Sequence, residues 1–224
     1  IRGVARPQGG AADMGAFEFD DTDADGMSDT WERLHFGDLS AAADGDPDTD
    51  GLTNLEESLH ETAPDEADTD KDGYSDYEEA QRGWNPNVPM SIRKVDAANA
   101  SGTKNGLSWA TAFTAIQNAI DDLSSSGEAM VWVAAGTYVS TADNVVVMRR
   151  HVYVYGGFAV GAGSLDDRDP AVNVTVIDGQ GVRRCVTGAD NALLEGFTIQ
   201  NGKSSYGAGM YNSSLSPKVN RCIF

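Results

Sequence analysis

The chain has 224 residues, 35 acidic and 16 basic, for a formal net charge of −19. The acidity is local: residues 20–79 hold 22 acidic side chains and only Arg33 and Lys71 as cations (2 − 22 = −20), leaving 13 acidic against 14 basic elsewhere. The lack of a basic stripe argues against nucleic acid as a partner. No run of about 18 apolar residues is present to span a membrane as a helix.

The length allows one or two domains. The chain opens at Ile1 and stops at Phe224 inside an apolar strand-like run, so it reads as an internal piece of a longer protein. A missing signal peptide therefore carries no weight. Three regions follow from composition: 1–19, 20–89 and 90–224. The second ends in the Pro-bearing stretch Asn85-Pro86-Asn87-Val88-Pro89.

Within 20–89 one acidic pattern is written three times. Asp21, Asp23 and Asp25 precede Gly26; Asp46, Asp48 and Asp50 precede Gly51; Asp68, Asp70 and Asp72 precede Gly73. Each copy continues to a polar residue at position 9 (Asp29, Asn54, Asp76) and a Glu at position 12 (Glu32, Glu57, Glu79). This is the twelve-residue calcium loop: carboxylates at 1, 3 and 5, glycine at 6 for the sharp turn, a backbone carbonyl at 7, the polar residue at 9, often through water, and a bidentate Glu at 12. Position 7 is Met27, Leu52 or Tyr74. About three Ca²⁺ ions are expected, which would lift the segment from −20 to −14. Without cations such charge density opposes folding. Loops of millimolar affinity need millimolar calcium, which points to an extracellular or cell-surface location.

A short helix is expected after each loop, with small apolar faces at Trp31/Leu34, Leu55/Leu59 and Tyr77/Ala80. His35, His60 and Arg82 fall at the same offset, near the helix C-termini, where the dipole favours a cation. A zinc site built on the two histidines is the sharper but weaker reading. Gly, Ala, Pro and Asp precede the loops in place of a helix, so a strung array of loops is favoured over paired-helix sensors.

In 90–224, strand-like runs end in glycine at Val131–Gly136, Val152–Gly157, Val174–Gly179 and Gly196–Gly202, the glycines 21, 22 and 23 residues apart. A further run, Lys218–Phe224, follows. Stretches at 144–148, 184–187 and 209–212 lie between them. Short strands at this period indicate a solenoid with several strands per coil. The expected fold is mainly β: a right-handed parallel β-helix preceded by a loop-rich calcium-binding linker with short helices. Residues 108–123 place Trp109, Ala112, Phe113, Ile116, Ala119, Ile120 and Leu123 on one helical stripe, an N-terminal α-helical cap for the open first coil. Cys185 and Cys222 read as small buried side chains; their spacing does not decide whether they pair.

The acidic repeats resemble thrombospondin type 3 calcium repeats as bacteria use them, through Trp31–Ser40 and Leu52–Glu57 beside the loops. Val95–Ala97, Gly106–Phe113, Gln117–Ile120 and Val131–Tyr138 look like the entry to bacterial right-handed β-helices of the pectin-lyase-like class. Gly196–Gly202 and Gly207–Asn212 resemble coil motifs of chlamydial polymorphic outer-membrane proteins. Residues 2–18 look like the closing segment of a preceding β-helix. The resemblance implies a secreted or cell-surface bacterial protein whose linker and β-helix serve adhesion, display or carbohydrate binding, with an extracellular glycan or a host or cell-surface protein as partner. It also implies an alternative, a polysaccharide lyase or glycoside hydrolase. The candidates for that chemistry are Asp166, Asp167, Asp169, Asp178 and Glu195 with Arg183 or Arg184, each of which has an ordinary structural explanation. No catalytic residue is assigned. Tyr138, Tyr153, Tyr155, Tyr206 and Tyr211 are candidate stackers on sugar.

Overall fold

The computed structural model describes residues 20–123 and 127–224. The segment 1–19, expected to close a preceding β-helix, lies outside the described residues. The chain divides into two compact units between Asn87 and Val88.

In the first unit each acidic loop runs into one seven-residue helix: α1 (Asp29–His35), α2 (Asn54–His60) and α3 (Asp76–Arg82). Ser28, Thr53 and Ser75 are the N-caps, and Thr53 and Ser75 accept from the amides of Glu56 and Glu78. These caps replace orphan partners at the helix start. His35, His60 and Arg82 close the three last turns, as the dipole favours. Helices this short do not persist alone, so their inward contacts decide whether they form.

Those contacts correct the expected apolar stripes. Leu34 and Leu59 are 75% and 68% exposed, and Tyr77 is also exposed. The buried helical positions are Asp29, Trp31 and Glu32, then Asn54 and Glu57, then Asp76 and Glu79. The helices turn loop positions 9 and 12 inward, and the leucines, on a different side of the helix, are left outside. Trp31 alone keeps its predicted burial, its indole N–H donating to the Thr62 carbonyl at 3.1 Å.

The second unit begins with β1 (Ser91–Val95). It continues through β2 (Ala129–Ala134), β3 (Gly136–Tyr138), β4 (Asn144–Val147), β5 (Val152–Phe158), β6 (Thr175–Asp178), β7 (Arg184–Thr187), β8 (Leu193–Glu195), β9 (Phe197–Gln200), β10 (Met210–Tyr211) and β11 (Lys218–Asn220). All pairs are parallel, in three sheets: β1-β2-β5-β8-β11, β3-β6-β9 and β4-β7-β10. From β2 onward the chain visits the three sheets in rotation. The fold is thus mixed, with parallel strands dominating.

The even glycine spacing is not one row of equivalent strands. β2 and β5 belong to the first sheet, but Val174–Gly179 and Gly196–Gly202 supply β6 and β9 of the second. In the first sheet Met130 pairs with Tyr153, Tyr153 with Leu193 and Leu193 with Lys218, advances of 23, 40 and 25 residues. The long advance contains an excursion over 159–174, whose length masks the period. The excursion returns to the sheet through Pro170, which lies where a Cβ on Gly157 or Gly196 would stand, 2.7 and 3.0 Å from its ring. Both glycines also have positive φ, so the close approach needs them.

Between the sheets lies a core of Val131, Val133, Val145, Val154, Ile177, Val186, Leu194, Phe197 and Ile199. β-Branched residues suit strands buried on both faces. Helix α4 (Ile116–Asp122) packs on β1, β2 and β4 with Ile116, Ala119 and Ile120 buried. The single helix expected over 108–123 is broken: a 3₁₀ turn covers Trp109–Thr111, then Phe113 bridges to Val95. The Phe113 amide donates to Lys94 O and its carbonyl accepts from Asp96 N, at 2.9 and 2.8 Å. Two strand-type bonds outweigh continuation of the helix, with β-branched Thr111 and Thr114 alongside. Cys185 is buried, Cys222 half-buried, and both are free thiols.

The tyrosines largely fail as sugar stackers. Tyr138 is buried and donates its hydroxyl to Ala134 O at 2.9 Å, Tyr155 is buried under Arg168, and Tyr211 lies beneath Arg184. Tyr153 is half-buried, and Tyr206 alone of the five stands clear.

Leu194 is fully buried in the core, whereas Val172 is 75% exposed on the excursion. Leu194→Ala is expected to cost about 2–5 kcal/mol and Val172→Ala less than about 0.5 kcal/mol, read from urea unfolding of the second unit. Equal effects would contradict the assigned core.

Candidate metal centres

The three loops share one backbone path. Position 4 (Ala24, Thr49, Lys71) and position 6 (Gly26, Gly51, Gly73) have positive φ, the glycines at 97°, 111° and 100°. The turn is held by carboxylates accepting from main-chain amides. Oδ1 of Asp21, Asp46 and Asp68 accepts from the amide of position 4 at 2.7, 2.8 and 2.7 Å. Oδ1 of Asp25, Asp50 and Asp72 accepts from the amide of position 7 at 2.8, 2.7 and 2.9 Å. Met27 and Leu52, at position 7, send their side chains into the unit, and Tyr74 packs edge-on to Trp84 at 5.4 Å.

In the second and third loops carboxylates of positions 1, 3 and 5 come together. Oxygens of Asp46, Asp48 and Asp50 lie within 4.8 Å of one another, as do those of Asp68, Asp70 and Asp72. In the first loop Asp23, Asp25 and Glu32 form such a group, and Asp21, Asp23 and Asp29 another. Among the described residues all these groups lie between Asp21 and Asp72.

Position 12 carries the decisive observation. Glu32, Glu57 and Glu79 are 0%, 1% and 0% exposed, and neither carboxylate oxygen of any of them has a hydrogen-bond partner. One oxygen each of Asp48 and Asp70 is likewise buried and unpartnered. A buried carboxylate without a partner is among the most costly groups a fold can hold. Burial, reinforced by neighbouring aspartates, pushes the Glu79 carboxyl to about 9. Burial likewise takes Glu57 to about 7, and burial with the Asp72 charge takes Asp70 to about 6. Glu32 is raised for the same reasons. An all-oxygen set of this kind fits a hard divalent cation, and Ca²⁺ accepts six to eight such donors. The residues present therefore fit the ion that the spacing implies.

Position 9, expected in the ligand set, also braces the first and third loops. Asp29 accepts from the amide and hydroxyl of Thr22, both at 2.6 Å, and from Arg33 at 2.8 Å. The Thr22 bonds and the Arg33 charge hold its carboxyl below the ordinary range despite burial. Asp76 accepts from the Thr69 amide at 3.0 Å and its hydroxyl at 2.7 Å, though burial leaves its carboxyl raised. In the middle loop Pro47 replaces the threonine and offers neither donor. There position 9 is Asn54, whose side-chain amide donates to Ala42 O at 2.8 Å. Sequence reading missed Thr22 and Thr69, yet the signal was present: Thr at position 2 goes with Asp at 9, and Pro goes with Asn. His35 stacks on Trp31 with centroids 4.9 Å apart, and His60 is exposed, so neither histidine enters a metal-capable group.

In the second unit the carboxylates that are candidates for sugar chemistry have structural partners. Asp167 accepts from the Gly163 and Ser164 amides, Asp169 from Ala171, and Asp178 from Gln200 and Asn201 of the neighbouring turn. Glu195 pairs with Arg168. Arg184 donates to Ser204, Tyr206 and Gly207, and Arg183 to Gln180.

Residues 21–37 and 68–89 match the family model of the bacterial TSP3 repeat. These segments hold the first loop with α1 and the third with α3, and the match supports calcium-binding repeats of a kind that suggests an extracellular setting. No curated protein and no solved structure matches the chain. No helix among the described residues is long and apolar enough to cross a membrane.

Two outcomes follow. Thr69→Val removes the hydroxyl between Asp76 and the Ala63 amide and is expected to weaken calcium in the third loop about tenfold, read by calorimetry; an unchanged isotherm would remove the brace assignment. Without calcium, Glu79 and Glu57 keep protons up to about pH 9 and 7, against an ordinary value of 4.5. The folded state then binds more protons than the unfolded chain, so calcium-free stability falls as pH rises from about 4.5 to 9. Calcium needs the ionised groups, so binding at pH 7 is expected to release about one proton or more, seen as a dependence of the heat on buffer ionisation enthalpy. Heats independent of buffer would contradict protonated glutamates.

Proposed function

We propose that residues 20–89 are a calcium-ordered spacer with three ions, one per loop. The ligands are Asp21, Asp23, Asp25, Met27 and Glu32; Asp46, Asp48, Asp50, Leu52 and Glu57; and Asp68, Asp70, Asp72, Tyr74 and Glu79. Met27, Leu52 and Tyr74 contribute through their carbonyls, and Asp29, Asn54 and Asp76 complete the sites at position 9, Asp29 and Asp76 also holding their loops shut through Thr22 and Thr69. The observation that carries this reading is the set of six buried carboxylate oxygens without partners on Glu32, Glu57 and Glu79. Calcium neutralises charge there that no side chain among the described residues neutralises, and fixes helices too short to stand alone.

Residues 90–224 on this reading are the entry coils of a right-handed parallel β-helix, capped by α4. Support comes from the rotation of successive strands through three parallel sheets and from α4 packing on β1, β2 and β4. Right-handed connection is the rule for parallel crossovers. The whole serves architecture on an extracellular or surface protein, with the coils displaying a face to a glycan or a surface protein.

Circular dichroism and calorimetry on the full chain test the first part. Calcium is expected to order the first unit with midpoints at about 10⁻⁵–10⁻³ M. Glu32→Gln, Glu57→Gln and Glu79→Gln should each remove one binding event. No heat and no spectral change at millimolar calcium would refute the assignment.

A further inference from the structure

Tyr77 stands at loop offset 9 in the third repeat, and its counterpart in the second is Leu55. Both side chains pack over the position-6 glycine of the preceding loop: Leu55 lies 3.2 Å from a Cβ built on Gly26, and Tyr77 3.3 Å from one on Gly51. Their amides differ. The Tyr77 amide donates to Oδ2 of Asp50 at 2.8 Å, while the Leu55 amide donates to the Ala43 carbonyl at 3.0 Å. Spacing explains the difference. The first two loops start 25 residues apart and the last two 22 apart (46 − 21, 68 − 46). The longer connection, turned by Gly45 N to Ala42 O at 2.9 Å, brings a carbonyl to the Leu55 amide. The shorter one leaves the Tyr77 amide facing a carboxylate of the loop before it.

We propose that calcium sites two and three are coupled through the Asp50–Tyr77 bond, and that site one is coupled to site two more weakly. The inference rests on the calcium reading above. Asp50 is tied on one oxygen by Leu52 N and on the other by Tyr77 N, and its remaining lone pairs serve the ion. A cation in the second loop fixes Asp50 and with it the first turn of α3. That turn carries Asp76, the brace of the third loop, and Glu79, its bidentate ligand, follows two residues after Tyr77. The ordering cost of the third site is then partly met by the second, and linkage makes the effect mutual. Tyr77 acts as a positioning residue through its main chain.

The test follows calcium titrations of the full chain by NMR, reading the amides of Gly26, Gly51 and Gly73 as reporters of the three loops. Glu79→Gln is expected to weaken the second loop by about 5-fold or more, and Glu57→Gln the third loop by the same factor. Glu32→Gln is expected to move the second loop less than about twofold. Tyr77→Pro, tolerated in a first helical turn, is expected to abolish the mutual shift, whereas Tyr77→Ala keeps the amide and the coupling. A second loop unmoved by Glu79→Gln, or moved equally by Glu32→Gln, overturns the coupling while leaving three calcium sites in place. No movement of any reporter in the unaltered chain overturns the calcium reading itself. Should Tyr77→Pro unfold α3, the Glu79→Gln and Glu57→Gln pair decides alone.

Discussion

The first unit is governed by one constraint: three glutamates are buried to the last oxygen with nothing to bond them. Apolar burial in the unit comes mainly from Met27, Trp31, Leu52 and Trp84, of which only Trp31 lies on a helix. The three helices present carboxylates inward and two of their leucines outward, so the usual driving force for packing short helices is largely missing. A fold arranged in this way is poised. Protons on the glutamates or an external positive charge among them would each relieve the constraint, and on the proposed reading that charge is calcium. Folding and cation binding are then one equilibrium.

The same constraint explains the repetition of loop detail. A cation held by flexible carboxylates gains little from ligands that must be ordered at the moment of binding. Here the ordering is done beforehand by main-chain amides that grip positions 1 and 5, and by braces that close position 9 onto position 2. The middle loop lacks this closure: Pro47 offers no donor, and the Asn54 side-chain amide donates to Ala42 O, ahead of the loop.

Periodic chemistry was legible in the sequence and irregular geometry was not. The acidic positions 1, 3, 5 and 12 follow from spacing because the turn and the acidic residues are parts of one pattern. The helices could be located, but their inner faces could not, since a hydrophobic-stripe rule assumes that apolar groups go inside and here acidic and amide side chains do. The strand runs were visible as β-prone stretches ending in glycine. Their assignment to sheets was hidden by the excursion over 159–174, which stretches one advance to 40 residues between Tyr153 and Leu193. β8, only Leu193–Glu195, is too short to announce itself. The break at Phe113 depended on β1 lying beside it, a contact that local sequence does not encode.

The second unit supplies an internal comparison. Glu195 is also nearly buried on a sheet, but Arg168 reaches it from the excursion, stacks over Tyr155 and forms an ion pair. Asp29 in the first unit has Arg33 and Thr22. This chain therefore supplies a partner to a buried carboxylate where a partner is what the site uses. At position 12 it withholds one three times over, with Arg33 and Lys71 as the only Lys or Arg among residues 20–79. Arg33 is spent on Asp29, and Lys71 bridges to Glu66. Withholding a partner at the three equivalent positions is costly unless the missing charge comes from solution. A side chain placed there would compete for the very oxygens the ion needs. On the proposed reading, the unpaired glutamates are the form a calcium site takes when seen from the protein side alone.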